Sequence, residues 1–269
     1  ISERSFMNTE RFAIISDLHS NLEAVTAVLE DIKSQAVEKI YCLGDVIGYG
    51  PNPNEVLRLS EKFIFTIIGN HDEAVLSGKE LKTFNPVAAQ AALWTKDEIS
   101  HPRVSQELSA QNSRYLQNMK KRVKMGPFLF AHGSAISNTE YIISYYDTLD
   151  SFKYMEQNKI KACFVGHTHR PGIFLEGSFN MISCKADDFH SIEENKKMIV
   201  NVGSVGQPRD ENQKACYVIV DDNRVYYRRV KYDVDKTIKK IYAIKRLNNY
   251  LGNRLKSKKK DDKVSVFYK

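Results

Sequence analysis

Residues 13–21 read AIISDLHSN, a short apolar run that ends at Asp17 and His19. The run has the composition of a buried β-strand, and the polar pair follows directly. Side chains at positions i and i+2 of an extended chain point to one face, so Asp17 and His19 are expected to converge just past the strand. A simpler interpretation is a helix N-terminus, with Ser20 or Asn21 capping the amphipathic segment that follows.

Five of the seven histidines repeat this arrangement, because each follows an apolar, strand-like run. They are His19, His71, His132, His167 and His169. Asp45 follows the run KIYCL in the same way, and Asn70 directly precedes His71. Ligands of open α/β sheets bind beyond the carboxyl ends of the strands, so these side chains are expected to meet in one place.

This set offers two carboxylates, one carboxamide and five imidazoles, and no thiolate. Such donors suit divalent transition-metal ions (Mn, Fe, Co, Ni or Zn) and argue against a structural zinc site of the cysteine type. The donors outnumber those that one ion can bind, so we expect a pair of ions about 3.5–4 Å apart, bridged by a carboxylate and a hydroxide. Such a pair holds a phosphate oxygen and activates water, which makes phosphoester hydrolysis the expected reaction.

The order of the apolar runs predicts an α/β fold. Strand-like runs alternate with helical periodicity from FAIIS at residue 12 to ACFVGH at residue 162. After His169, shorter runs separated by turn residues predict antiparallel hairpins. Together they predict one domain built around two facing sheets. Near the C-terminus a basic helix with an apolar stripe is expected, formed by Ile238, Ile241, Ile244, Leu247, Leu251 and Leu255.

The net charge of +7 is unevenly distributed along the chain. Residues 224–269 carry 16 basic and 4 acidic side chains, a net charge of +12, whereas residues 1–223 carry 24 basic and 29 acidic ones, a net charge of −5. An acidic body is a poor surface for a polyanion, which argues against a nucleic-acid partner. The basic run near the end is expected to be a solvated segment.

Neither a membrane partner nor a secretory route is expected. No stretch approaches the ~20 apolar residues that span a bilayer, and no secretory signal stands at the start, so a cytoplasmic location is predicted. Cysteines lack a Cys-x-x-Cys spacing and are expected to be small buried hydrophobic residues. They are Cys42, Cys163, Cys184 and Cys216. The sequence leaves the oligomeric state open.

Five short motifs, taken in order, resemble those of the calcineurin-like metallophosphoesterases. They are Asp17-x-His19, Gly44-Asp45, Gly69-Asn70-His71-Asp72, His132 and Gly166-His167-x-His169. The stretches GDVIGYGPNPNEV, AALWTKDEI and NVGSVGQPRD further resemble a prokaryotic subgroup related to diadenosine tetraphosphatases and small phosphodiesterases. Any one motif alone would be a weak indication, whereas the set is specific.

The resemblance implies a four-layer α/β/β/α sandwich with two mixed sheets and a dinuclear metal site at the carboxyl ends of the strands. It runs from Arg11 to about Leu255, which makes residues 11–255 the metallophosphoesterase domain. Residues 1–10 are then an N-terminal extension or a cloning remnant, and residues 256–269 are a basic C-terminal tail.

The resemblance also implies a role for each motif residue. One metal ion would be bound by Asp17, His19, Asp45 and His169. The other would be bound by Asp45, Asn70, His132 and His167, so that Asp45 bridges the pair. His71 would bind the phosphate and protonate the leaving oxygen, a role that suits an imidazolium near neutral pH.

Departures from the phosphoprotein phosphatases of the superfamily bear on the substrate. Those enzymes have an aspartate and an arginine where this chain has Gly48 and Tyr49, and another arginine at Ile68. Loss of a bidentate arginine disfavours a dianionic monoester and fits a diester or a nucleotide.

Three residues at the expected rim are candidate substrate contacts. Tyr49 could stack on a base or aryl group, or it could simply support its loop. Gln207 and Arg209 lie in NVGSVGQPRD, a loop that the family places near the metal cleft. The alternative for Arg209 is a surface ion pair with Asp210 or Glu211.

The predicted function is hydrolysis of a phosphodiester or phosphoanhydride bond in a small phosphoester or nucleotide, by attack of a metal-bound hydroxide. One alternative is a phosphomonoesterase that acts on phosphoproteins. Another is a non-catalytic interaction module on the same fold, against which the presence of His71 argues. A third alternative is a nuclease, which would need a basic cleft, and the acidic body of the protein argues against it.

Overall fold

The computed structural model describes residues 11–79, 81–100, 105–193 and 195–256, and twelve strands lie in these ranges. In chain order they are β1 (Phe12–Ile15), β2 (Lys39–Cys42), β3 (Phe65–Thr66), β4 (Arg122–Met125), β5 (Phe128–Ala131), β6 (Ala162–Val165), β7 (Gly172–Leu175), β8 (Ile182–Ser183), β9 (Phe189–Ser191), β10 (Met198–Asn201), β11 (Ala215–Asp221) and β12 (Arg224–Val230). They form two six-stranded sheets, with the orders β3-β2-β1-β11-β12-β9 and β4-β5-β6-β10-β7-β8.

Both sheets are mixed. In the first, β1, β2 and β3 are parallel, and β11, β12 and β9 continue the sheet antiparallel. In the second, β5, β6 and β10 are parallel, flanked by antiparallel β4, β7 and β8. The parallel strands of each sheet bring their carboxyl ends to one edge, where the polar residues that follow them can meet.

Eight α-helices of the described ranges surround the sheets. They are α1 (Leu22–Ser34), α2 (Pro53–Ser60), α3 (Asn70–Ser77), α4 (Pro86–Ser100), α5 (Gln106–Asn118), α6 (Leu149–Gln157), α7 (Val234–Ala243) and α8 (Asn249–Asn253). One apolar core lies between the two sheets and contains Phe12, Tyr41, Phe130, Phe164 and Val218. Helices α1 to α5 pack on the outer face of the first sheet, and α6 packs on the outer face of the second. The predicted four-layer α/β/β/α sandwich is confirmed.

Two local expectations were incomplete. The strands after His169 include the hairpins β7–β8 and β11–β12, but β10 pairs parallel with β6. Hydrophobic runs do not encode strand direction, and β10 is inserted between β6 and β7. The predicted single C-terminal helix is two helices, because the backbone at Ile244 is extended and ends α7.

The apolar stripe of this C-terminal pair does dock on the body, as expected. Ile238, Ile241, Leu247, Leu251 and Leu255 are buried in one cluster with Ala88, Ala91 and Trp94 of α4, and with Tyr49. The cluster joins the C-terminal helices to the loop that carries Tyr49.

The predicted extension at residues 1–10 and the predicted tail from residue 257 onward lie outside the described residues. Within the described ranges, no helix has the length and apolar character that a bilayer span needs. All four cysteines are buried and unpaired by disulfides, as expected.

Candidate dinuclear metal centre

The eight polar residues expected to meet do lie at one edge of the two sheets. Asp17 and His19 follow β1, Asp45 follows β2, and His132 follows β5. His167 and His169 follow β6, and Asn70 and His71 are the first two residues of α3. All eight are buried, with at most 8% of any residue exposed. The rule that side chains at strand ends converge therefore predicted their location.

The backbone at these positions is unusual. Asp17, His19, Asp45, His167 and His169 all have φ between +47° and +64°, in the left-handed region that residues other than glycine rarely adopt. Asp17 and His19 thus converge through a left-handed turn and not through an extended chain, which corrects the basis of the prediction. Each such residue costs about 1–3 kcal/mol, and strain of this kind persists where surrounding contacts enforce it. Here, Asp17 N–H donates to Gly44 O, and His19 N–H donates to Asp45 O, both at 2.9 Å.

Two groups of side chains bring their candidate ligand atoms within 4.8 Å of one another. The first contains Asp17, His19, Asp45 and His169, and the second contains Asp45, His132 and His167. Asp45 belongs to both, because its Oδ2 lies 3.6 Å from His19 Nε2 and 3.4 Å from His132 Nε2. Asn70 Oδ1 lies 3.2 Å from His132 Nε2 and adds an oxygen to the second group.

Backbone carbonyl groups orient the imidazole rings. His132 Nδ1 lies 2.8 Å from Leu43 O, and His169 Nδ1 lies 2.6 Å from Gln207 O. A neutral ring that donates from Nδ1 presents a lone pair at Nε2. His169 Nε2 nevertheless lies 3.2 Å from Asp17 Oδ1, another acceptor. Acceptors this close repel one another unless a proton or a cation lies between them, so the donor set fits metal ions.

Asp17 and Asp45 each accept a backbone hydrogen bond through one carboxylate oxygen, and the other oxygen faces the ligand groups. Asp17 Oδ2 accepts the N–H of His167 at 3.0 Å, whereas its Oδ1 is buried with no hydrogen-bond partner among the described residues. Asp45 Oδ1 accepts the N–H of His71 at 2.9 Å, which leaves Oδ2 facing both groups. An unpartnered buried carboxylate oxygen is costly, and cation binding would remove that cost.

The electrostatics of the cluster favour bound positive charge. Burial alone would raise the pKa of Asp45, but the facing His132 and His71 hold it well below its usual range. Burial alone would lower the pKa of His132, but Asp45 and Asp17 raise it to about 9. Burial lowers the pKa of His19 well below its usual range, which keeps this ring neutral and able to act as a ligand. The cluster could therefore hold protons or cations among its acceptors.

His71 lies beside the two groups but belongs to neither. It occupies the first turn of α3, where successive side chains are about 100° apart, so it points away from Asn70. Its ring lies 5.0 Å from that of His19, 4.4 Å from that of Tyr49 and 4.7 Å from that of Phe84, measured between centroids. Its Nδ1 is buried and has no hydrogen-bond partner among the described residues.

The three candidate substrate contacts lie beside the metal groups, but they differ in exposure. Tyr49 is 7% exposed and packs its ring on His19 and His71, an environment that fits support of its loop. Gln207 is 3% exposed, and its Oε1 accepts a hydrogen bond from Arg209 Nη2 at 3.1 Å. Arg209 itself is partly exposed.

Two further residues near the site had no role in the sequence-based prediction. The ring of Tyr141 lies on that of His167, with centroids 3.9 Å apart. It belongs to an irregular loop with no repeating pattern, so no sequence feature indicated it. Asp72 accepts N–H bonds from Ile47 at 3.1 Å and Gly69 at 3.0 Å, and thereby joins two site loops. Its place in Gly69-Asn70-His71-Asp72 was the available indication.

The start of α1 connects the site to the C-terminal helices. Asn21 caps α1 through the N–H of Ala24, as one interpretation of the sequence had it, and its Nδ2 also donates to Gly206 O at 2.8 Å. Thr237 of α7 donates to Asn21 Oδ1 at 3.0 Å. Helix α7 therefore supports the loop that carries Gln207 and Arg209.

A family model that describes the calcineurin-like phosphoesterase superfamily domain matches residues 11–224. The chain belongs to this superfamily. Members use divalent metal ions, and the two groups around Asp45 could hold such ions. The resemblance stated from the five motifs is confirmed, while the assignment of individual residues to individual ions stays a prediction.

Similar proteins agree with this membership. An uncharacterised protein of Methanocaldococcus jannaschii is 38% identical over 251 residues, which cover 90% of this chain and 96% of that protein. The crystal structure of a metallophosphoesterase from Sphaerobacter thermophilus is 33% identical with a TM-score of 0.78, over 93% of this chain and 99% of the other. A hypothetical protein of Pyrococcus horikoshii shares the fold at 18% identity, with a TM-score of 0.70 over 91% of this chain and 97% of the other.

Proposed function

We propose that this protein is a dinuclear metal-dependent phosphoesterase that hydrolyses a phosphodiester or phosphoanhydride bond in a small phosphoester or nucleotide. The observation that carries the proposal is the pair of buried ligand groups that share Asp45. Asp17, His19, Asp45 and His169 would hold one ion, and Asp45, Asn70, His132 and His167 would hold the other. Mn, Fe, Co, Ni and Zn ions all suit these donors. When bound, such ions lower the pKa of a water molecule and offset the negative charge on the phosphoryl group.

His71 is the proposed general acid. It lies next to the ligand groups without belonging to them, so its ring is available for proton transfer. A Cβ atom at Gly48 would lie 2.8 Å from His71 Nδ1, which shows how closely this nitrogen is covered. The proton delivered to the leaving oxygen would therefore come from Nε2.

Binding of the substrate would favour the protonated form of His71. Burial lowers the pKa of His71 to about 4, and the charge of Arg209 acts in the same direction, while Asp45 opposes it. An anionic phosphoester beside the ring favours the imidazolium form, against the opposing charge of the bound ions. His71 would then become protonated with substrate present, when an alkoxide leaving group needs the proton.

The substrate preference follows from what surrounds the site. Gly48 and Tyr49 leave the second motif without an arginine, and Tyr49 is buried against two imidazoles. One half-exposed aromatic ring, Tyr141, borders the second group through His167. An aromatic border whose second motif lacks an arginine suits a diester or nucleotide better than a dianionic phosphoprotein.

A panel of substrates tests the proposal. Chelator-stripped protein, reloaded with each ion in turn, is assayed on model diesters, monoesters and dinucleoside polyphosphates. We expect turnover of diesters or dinucleoside polyphosphates that requires added ions. Preference for monoesters would favour a phosphomonoesterase, and absence of turnover with every ion would favour an interaction module.

The role of His71 has its own test. His71→Ala should keep both ions and lose about 10²–10⁴-fold in turnover of esters with poor alkoxide leaving groups. The loss should be much smaller for nitrophenyl esters, whose leaving group needs little protonation. Equal losses on both would assign His71 to phosphate positioning, and loss of an ion would make it a ligand.

A further inference from the structure

Arg209 is a cation at the site with no carboxylate partner in the described part of the chain. The expected surface pair with Asp210 does not form, because Asp210 is bound by Arg229. Glu211 is exposed and makes no ion pair with Arg209 within 4.0 Å. The guanidinium instead donates to Gln207 Oε1, from Nη2 at 3.1 Å. A surface ion pair therefore does not explain this residue.

The backbone that carries Arg209 is joined to proposed metal ligands. Gly206 N–H donates to Asp17 O at 2.8 Å, and Arg209 N–H donates to His169 O at 3.1 Å. The ring of His169 in turn contacts Gln207 O through Nδ1 at 2.6 Å. These contacts fix the start of the arginine side chain relative to the first ligand group.

The guanidinium extends toward the site. It donates to the buried Gln207, which lines one cavity together with His19 and Tyr49. Arg209 thus lies beside the first ligand group.

We propose that Arg209 binds a non-bridging phosphate oxygen of the substrate, and that Gln207 is the positioning residue that aims its guanidinium. The proposal rests on the proposed phosphoesterase function. The second motif and Ile68 lack the arginines of phosphoprotein phosphatases, so the loop after β10 supplies the clamp from the opposite sheet. A guanidinium suits this task because its planar donors match phosphate oxygens.

Binding of inorganic phosphate to the metal-loaded protein tests the clamp without requiring turnover. Arg209→Gln should bind phosphate about 10–100-fold more weakly by calorimetry, the usual range for a lost charge-assisted hydrogen bond. Metal content should be unchanged. The matched control is Arg170→Gln, since Arg170 is an exposed arginine next to His169, and its phosphate affinity should equal that of the wild type. Equal phosphate affinities in Arg209→Gln and wild type would overturn the proposal.

Gln207→Leu removes the hydrogen-bond acceptor without adding a charge. The guanidinium would lose the oxygen that orients it, so phosphate affinity should fall although Arg209 is present. The same change in an Arg209→Gln background should have no further effect, and an additional loss there would refute the positioning role.

The two proposals can fail separately. If the wild type hydrolyses no substrate but Arg209→Gln loses phosphate affinity, the phosphoesterase function fails and the clamp stands. If the wild type turns over diesters and Arg209→Gln keeps both KM and phosphate affinity, the clamp fails alone.

Discussion

Gly48 is the position where a single added methyl group should disable the proposed acid while leaving the metal ligands in place. A Cβ atom there would lie 2.8 Å from His71 Nδ1 and 3.3 Å from its Cγ. The ring cannot simply retreat, because Tyr49 and Phe84 pack on it with centroids 4.4 and 4.7 Å away. Gly48→Ala should therefore displace the imidazole.

The size of the effect follows from these distances. Ordinary contact begins near 3.4 Å, so the ring must move by about 0.6 Å. Misplacement of a catalytic group by about 1 Å can cost about 10²-fold, so we expect kcat on an alkyl diester to fall by about 10–100-fold. Gly48 also has φ +98°, and a side chain there costs about 1–2 kcal/mol of stability, or about 2–8 °C in Tm.

Gly177→Ala is the matched control. Gly177 has φ +79°, but an added Cβ there would meet no atom within 4 Å. This variant should lose similar stability and keep wild-type turnover. Steady-state kinetics measure the turnover of both variants, melting curves measure their stability, and metal analysis shows whether their ions are retained. If Gly48→Ala retains its ions and loses no more turnover than Gly177→Ala, His71 does not act from the position that the structure gives it.

Three further predictions concern the ions and the C-terminal region. Asp45→Asn should lose more than one equivalent of bound metal, whereas Asp17→Asn should chiefly weaken one site, and unchanged metal in Asp45→Asn would exclude a shared carboxylate. Removal of residues 257–269 should leave Tm and turnover nearly unchanged, since the docked apolar stripe ends at Leu255; a large loss of either contradicts this. Thr237→Val should cost about 1 kcal/mol and reduce turnover with both ions kept, because Asn21 loses a partner, and wild-type turnover would show that α7 does not support the site.

The sequence was informative about the fold and the site because strand-end chemistry and hydrophobic periodicity are local patterns. The convergence of Asp17 and His19 could be expected from their place after β1. Their left-handed backbone could not, because it depends on hydrogen bonds to Gly44 and Asp45 in a neighbouring loop. The break at Ile244 was missed for a related reason, since the apolar spacing continues through it.

Side-chain partners proved harder to predict than positions. Arg209 has two acidic residues directly after it, and a pair with either was a reasonable expectation. Asp210 instead pairs with Arg229 of β12, which lies 19 residues after it in the sequence. Likewise, nothing near Tyr141 indicated that its ring would lie on His167. Such contacts depend on the tertiary fold, which local patterns do not contain.

The bond between Asn21 and Thr237 joins residues 216 positions apart, and this span bears on how the protein is made. Ribosomes synthesise chains at about 5–20 residues per second, so Thr237 is added many seconds after Asn21. For most of that time Asp17, His19 and Asp45 exist without His167 and His169, which complete their ligand groups. We expect stable metal uptake only after His169 has been made, so a nascent chain stalled before residue 160 should not retain ions.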